Sequence, residues 1–321
     1  MKYAVPVVAL LLSAPFFLPG FHVTLLTEIL IFALFAMSLD VQVGYARMFS
    51  FGHAAPYGVG AYVAAFALVV GKLPLPIAIL IAVVAVFILS IPIGWLCTRA
   101  SGVAFAMLTL AFAQLAFAVA FKWNAVTGGS DGISGLIRNP GPWGFAGLES
   151  RDGYYWLTVT LVVGTAWLAS RFVRSPMGTA IVAVRENEKR AIAIGYEPRQ
   201  LRLAAFVISN TGAGLAGALH AGFLLFVSPE LLHWTLSGYV LVAVVLGGSG
   251  TLIGPMIGAA LMVIGGHQLS AIATSWPLFM GLLFMIVVVV APNGLWGIKS
   301  SISNALALRK ASRLEMNHVA S

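Results

Sequence analysis

Residues 75–96 read LPIAILIAVVAVFILSIPIGWL, a stretch without one charged side chain. A helix that spans a bilayer needs ~20 predominantly apolar residues, within a range of ~17–25. A membrane barrel strand would instead alternate apolar and polar positions over ~10 residues. The runs Pro76–Ile93 and Leu278–Ala291 are continuous, so the pattern is helical. The rest of the chain agrees. Of 321 residues, 60% are hydrophobic and 9% are charged, and the mean hydropathy is +0.98. A soluble domain carries roughly 25% charged residues, so this chain cannot cover a globular surface with polar groups. A water-soluble enzyme or binding domain is excluded. Disorder is excluded too, because it requires low hydrophobicity and high charge. Cys97 is alone, so no intrachain disulfide forms. The six histidines are scattered without metal-ligand spacing, and no metal is expected.

Apolar segments fall at about 4–19, 23–43, 54–70, 75–96, 102–121, 154–172, 203–226, 237–247, 252–268 and 277–293. The expected fold is an all-α, polytopic transmembrane helical bundle of about ten segments. Segments 237–247 and 252–268 flank Gly247-Gly248-Ser249-Gly250 and read either as two short spans or as a re-entrant hairpin. Five segments per half would make related halves inverted, as in many transporters. The formal charge of +8 suits Lys and Arg on the cytoplasmic side of a membrane rather than a nucleic-acid partner. With the N-terminus inside, only Lys72, Lys122, Arg138 and Arg151 fall outside, and the other 14 of the 18 Lys and Arg lie inside. Both termini are therefore expected in the cytoplasm. The first segment is read as a retained helix rather than a signal peptide, because Pro15 and Pro19 interrupt it and no small-x-small cleavage site follows. Residues 1–298 form the expected membrane domain, and 299–321 a basic cytoplasmic tail. Residues 122–153 are a polar outside loop, rich in Gly and Pro and carrying Trp123 and Trp143.

The inside loop 173–202 carries charges of both signs. Ser175-Pro176 suits a helix start, and the pattern from Thr179 supports a short amphipathic helix. Ile181, Val184 and Ala191 form its apolar face, and Arg185, Glu186, Glu188, Lys189 and Arg190 its polar face. Gly195 stops it, as a glycine just past a helix end does. Such a helix lies on anionic lipid, solvates a loop, or docks by its apolar face in a groove of a cytosolic partner.

Arg185-Glu186-Asn187-Glu188, followed by Ala191, Ala193 and Gly195, resembles the coupling loop of bacterial ABC importer permeases. It closely resembles the branched-chain amino-acid permease family of the LivM type. The likeness extends from about 25 to 296. It includes Gly44-Tyr45-Ala46, Ser50-Phe51-Gly52-His53-Ala54-Ala55 and Gly58-Val59-Gly60-Ala61-Tyr62. It continues through Ala104–Gln114, Thr127-Gly128-Gly129-Ser130-Asp131-Gly132-Ile133, Ala205–Ser209 with Ala213–Leu219, and Gly247–Thr251 with Gly254-Pro255. Arg47-Met48 and Pro56-Tyr57 depart from the family pattern, which leaves urea or short amides open beside leucine, isoleucine and valine. The resemblance implies a bacterial inner-membrane permease paired with a homologous second permease. It implies two cytosolic ATPases that bind the ATP, a periplasmic substrate-binding protein, and no cofactor of the chain's own. It places ATPase coupling on Arg185, Glu186, Asn187, Glu188, Ala191 and Gly195.

The residues add constraints of their own. No G-x-x-x-x-G-K-[ST] phosphate loop is present, so the chain is not itself the ATPase. A zwitterion crossing hydrocarbon needs polar side chains or exposed helix ends at membrane depth. Gly44, Ser50, Gly52 and His53 are candidates for such a path, and Thr109 and Gln114 on the fifth segment are others. For the glycines, close helix packing is the competing reading. Thr127, Gly128, Gly129, Asp131 and Gly132 are candidates for docking the binding protein, although Asp131 also suits a helix cap. Glu28 and Asp40 are the acids within segments. Asp40 reads as pairing with Arg47 at the interface, and the lack of a central acid tells against a proton-coupled carrier. Gly247-Gly248-Ser249-Gly250 fits the G-x-S-G of intramembrane serine proteases, with His267 as base. That enzyme reading requires Ser249 and His267 to meet.

Overall fold

A computed structural model describes residues 4–139 and 147–270, with the isolated positions 278, 281, 282, 285, 294, 295 and 297. The expected segment 277–293 and the tail 299–321 lie outside the described residues as continuous elements. The helices in chain order are α1 (Ala4–Phe17), α2 (Gly20–Asp40), α3 (Ala54–Val69), α4 (Leu75–Cys97), α5 (Val103–Lys122) and α6 (Asn124–Thr127). There follow α7 (Arg151–Val173), α8 (Pro176–Glu186), α9 (Glu188–Ala193), α10 (Pro198–Leu224), α11 (Trp234–Gly247) and α12 (Ile253–Ser270). Among the described residues, six stretches are long and apolar enough to cross a membrane: Gly20–Tyr45, Leu75–Cys97, Val103–Lys122, Arg151–Val173, Pro198–Leu224 and Ile253–Ser270. Ala54–Val69 and Trp234–Gly247 are shorter apolar helices.

Between α2 and α3 the chain makes one wide helical turn, Val41–Tyr45. It then leaves helical geometry at Arg47, whose φ is +53°. Pro15 lies inside α1. A proline has no N–H to give the carbonyl four residues earlier, here Leu11. That carbonyl accepts instead from the Tyr155 hydroxyl on α7 at 2.6 Å, and Leu12 O accepts from the Trp156 indole at 3.2 Å.

The centre is α10. Lipid supplies no hydrophobic force between helices, so close backbone approach and interhelical hydrogen bonds have to hold them. A Cβ on Gly60 of α3 would stand 2.2 Å from Gly214 O, and one on Gly217 would stand 1.8 Å from Tyr57 O. The two contacts share one antiparallel register. On its other sides Gly214 meets Val86 of α4, and Gly94 of α4 meets Phe206. Ser209 donates to the Ser38 carbonyl of α2 at 2.5 Å, and the Tyr154 hydroxyl of α7 donates to Leu219 O. The residues at 237–268, open in the sequence, form an antiparallel pair. A Cβ on Gly247 would lie 1.9 Å from Gly254 O, and one on Gly258 would lie 2.0 Å from Ala243 O.

The two ends of the bundle are built differently. At the end remote from α8, a single bridge joins Ile133 and Val227. Arg138 there donates to the terminal carbonyls of α10, Gly222 at 2.7 Å and Phe223 at 3.0 Å. These are carbonyls that a helix end leaves without partners. Desolvation beside α10 pulls the Arg138 guanidinium below its usual pKa. At the opposite end, α8, the 41–47 turn and the 248–252 turn meet.

Gly60→Val is expected to force α3 from α10 and to destabilise the purified protein by about 1–3 kcal/mol. Gly164→Ala, at a helical site with nothing within 4 Å, is expected to be neutral or slightly stabilising. Thermal unfolding in detergent checks both.

Candidate functional site

The polar segment after α7 folds as the sequence suggests at its two ends and differs in the middle. The Ser175 hydroxyl caps α8 by accepting from Gly178 N at 3.2 Å, and Gly195 takes φ +93° beyond α9. The expected single helix is instead broken at Asn187, where φ is −155° and ψ is 98°. The Asn187 side chain accepts from Arg190 N at 2.9 Å. An asparagine starts a helix more readily than it continues one.

Which apolar groups are exposed also differs from expectation. Ile181, Val184 and Ala191 are buried against the chain's own bundle. On α9 and just beyond it the large apolar groups Ile192, Ile194 and Tyr196 stand free, exposed by 55%, 68% and 42%. Two charged contacts hold the segment. Arg185 donates to Gly44 O at 2.6 Å while pairing with Glu186. Arg202, at the start of α10, holds Glu188 at 2.6 Å. The neighbouring Arg185 guanidinium keeps the Glu186 carboxyl below the usual range.

Beside Gly44 lies Asp40, fully buried. It does not pair with Arg47, which is exposed. Its Oδ1 accepts from Gly250 N at 2.6 Å and its Oδ2 from Leu252 N at 3.0 Å. The carboxylate therefore fixes the turn between α11 and α12, where Leu252 sits at φ +58°. Gly44 itself is packed: a Cβ there would stand 2.2 Å from Gly250 N.

The remaining path candidates separate. Ser50, Gly52 and Thr109 line one cavity of about 80 Å³, together with Ser90, Asn210 and apolar groups that include Val86 and Phe112. Gly52 is also pressed on Thr109, with a Cβ position 2.3 Å from Thr109 O. His53 is not in the lining. It is buried and stacked on Phe35, with ring centroids 5.2 Å apart, and its Nε2 lies 2.9 Å from Ser38 Oγ. Gln114 is half-buried on α5 outside the lining. Sequence reasoning missed Gln42, which donates to Asn210 Oδ1 at 3.1 Å, and it missed Ser90. The signal was an amide inside an apolar span, the argument applied to Gln114 alone.

Thr127–Gly132 forms a tight loop, with Gly128, Gly129 and Gly132 at φ +75°, +60° and +70°. Asp131 does not cap a helix. Thr127 Oγ1 accepts from Gly129 N at 3.3 Å, and Asp131 accepts from its neighbour Ser130. Ser249 and His267 do not meet. Ser249 precedes α12 and His267 lies near its far end, a rise of about 21 Å at ~1.5 Å per residue. His267 bonds Glu28 instead, at 2.9 Å.

Long apolar helices, polar groups turned inward and a charged two-helix arm at one end define a multi-pass membrane protein with exposed apolar groups on that arm. The family described as "Branched-chain amino acid transport system / permease component" matches residues 21–291, and the chain belongs to it. It is 30% identical to the high-affinity branched-chain amino acid transport system permease protein LivM of Escherichia coli K12, over 91% of this chain and 74% of that one. Against LivM of Salmonella typhimurium LT2 the identity is 30%, over 88% and 71%. The autoinducer 2 import system permease protein LsrC of Yersinia pestis Pestoides F is 31% identical over a shorter stretch, 33% of this chain and 31% of that one. No solved structure gives a significant match.

Asp40→Ala is expected to strand the buried Leu252 N–H and the part-buried Gly250 N–H and destabilise the α11–α12 turn by about 1–3 kcal/mol. Asp40→Asn, which keeps an acceptor, should lose less. Hydrogen exchange at Gly250 and Leu252, rising in both variants and most in the alanine, checks the order.

Proposed function

We propose that this chain is the membrane-spanning permease of an ABC importer for leucine, isoleucine and valine in a bacterial inner membrane. It works by alternating access and carries no catalytic chemistry of its own. A homologous second permease completes the path, two cytosolic ATPases bind and hydrolyse ATP, and a periplasmic binding protein delivers the substrate. The reading takes ten crossings, five in each of two inverted halves, with both termini in the cytoplasm. It takes residues 1–298 as the membrane domain and 299–321 as a basic tail. What carries it, beside family membership, is the α8–α9 arm. That arm is anchored at Gly44 through Arg185 and at α10 through Glu188, while Ile192, Ile194 and Tyr196 face outward. An arm held at two helix ends passes force from an ATPase to α2 and α10, and the three exposed apolar groups supply the contact for it.

The inward path runs past the cavity of Ser50, Gly52 and Thr109, next to which Asn210 and Ser90 offer further hydrogen bonds to a polar substrate. The Thr127–Gly132 loop, clipped to the far end of α10 through Ile133, is the surface for the binding protein. The small volume of that cavity favours a second reading, a urea or short-amide permease of the same family.

The test is a gentle-detergent purification of the tagged chain with identification of its companions. A second permease and two nucleotide-binding subunits are expected, and a chain that purifies alone overturns the importer reading. The co-purified binding protein is then screened with leucine, urea and amides. In the reconstituted importer, Glu186→Ala and Gly195→Leu should leave ATP hydrolysis running while uptake falls about tenfold or more. Gly195→Leu acts through the backbone, since φ +93° disfavours any side chain. Normal uptake in both variants would remove the coupling assignment.

A further inference from the structure

A second cavity lies on the opposite side of α3 from the first, in the half of the bundle remote from α8. We infer that it is a site for a zwitterionic amino acid with an aliphatic side chain, with Glu28 holding the ammonium and His220 the carboxylate. The inference rests on the amino-acid reading above and gives it a place to bind.

The cavity is about 240 Å³ and is walled by α2, α3, α10, α11 and α12. One water needs ~10–15 Å³ on the same measure, so the space suits a small molecule. Its polar groups are Glu28, His220, Tyr57 and Tyr239, and its apolar wall includes Phe32, Leu236 and Met262. Acids inside spans face the bundle interior or a wet cavity and mark a path by default. Of the two acids in α2, Asp40 has both oxygens committed to backbone N–H groups. Glu28 does not. Its Oε2 bonds His267 at 2.9 Å, with both side chains partly exposed at 38% and 46%. Its Oε1 remains available to a ligand. His220 rests its ring on Tyr57, with centroids 5.6 Å apart, and makes no hydrogen bond to the described residues. An acceptor for an ammonium, a donor for a carboxylate and an aliphatic wall in one cavity match the parts of such an amino acid. A neutral urea brings no cation to the Glu28 carboxylate and no carboxylate to the His220 ring N–H. A ligand lacking the ammonium or the carboxylate would leave Glu28 or His220 without its partner, which is how polar sites reject analogues.

The test uses the assembled importer in nanodiscs with Val263→Cys as reporter, since Val263 lines the cavity and is half-buried whereas the native Cys97 is buried. Maleimide labelling is followed with added L-leucine, and leucine and urea uptake are measured on the same preparation in liposomes. Leucine should slow labelling at least about tenfold. Leucinol and isocaproate, each lacking one charge, should need concentrations roughly tenfold higher or more. Glu28→Gln should raise the half-protecting leucine concentration by about the same factor, as loss of a charge-assisted hydrogen bond does. Leucine uptake without protection at Val263→Cys, or unchanged protection in Glu28→Gln, overturns the site while leaving the permease reading standing. Uptake of urea without leucine overturns the amino-acid reading itself, and the site with it.

Discussion

The bundle depends on two helices touching backbone to backbone. Gly60 on Gly214 and Gly217 on Tyr57 bring α3 and α10 closer than any side chain permits. Lipid tails are as apolar as leucine, so association inside a bilayer comes from contact area and interhelical hydrogen bonds rather than from escape from water. Once α3 and α10 are joined, the rest is placed around them. The α4 helix lies over Gly214 through Val86, α2 hydrogen-bonds through Ser38, and α7 does so through Tyr154. The two cavities follow from the same join. Pro56 and Val59 face one of them and Tyr57 faces the other, so a single helix divides them.

Polar side chains in this protein mostly hold backbone together. Asp40 serves two N–H groups of a turn, Arg185 one carbonyl at the end of α2, and Arg138 two carbonyls at the end of α10. Each serves a backbone group that a helix end or turn leaves without a partner. These uses explain why most charged groups near the ends of spans are poor candidates for carrying substrate. They also isolate Glu28 and His220, whose polar atoms are not spent in this way.

The helical class and the position of most segments were legible because uninterrupted apolar runs of span length admit few alternatives. Ser175 and Gly195 were legible as helix boundaries because their local chemistry decides there. What tertiary contact decides was not legible. The partner of Asp40 lies 210 residues away in sequence, so proximity in the chain pointed to Arg47 instead. The apolar face of the arm, Ile181 with Val184 and Ala191, carries the same pattern whether it packs inward or outward. Asn187 was read as part of a motif, although asparagine between a helix end and a glutamate is itself a start signal. For the glycines, packing and path are one pattern in sequence. The structure gives packing at Gly44, and at Gly52 gives packing beside a cavity.

The proline in α1 bears on how the chain reaches its folded state in the bilayer. Leu11 O is released by Pro15 and satisfied by a tyrosine 144 residues later. During synthesis that tyrosine does not yet exist when α1 meets the lipid, and a bare carbonyl in hydrocarbon costs several kcal/mol. Until α7 arrives, α1 has reason to stay near the headgroups, where water can serve the carbonyl. Helix α1 is therefore seated only once α7 has been made, and the contact between the two is a late step for a helix made early relative to its partner.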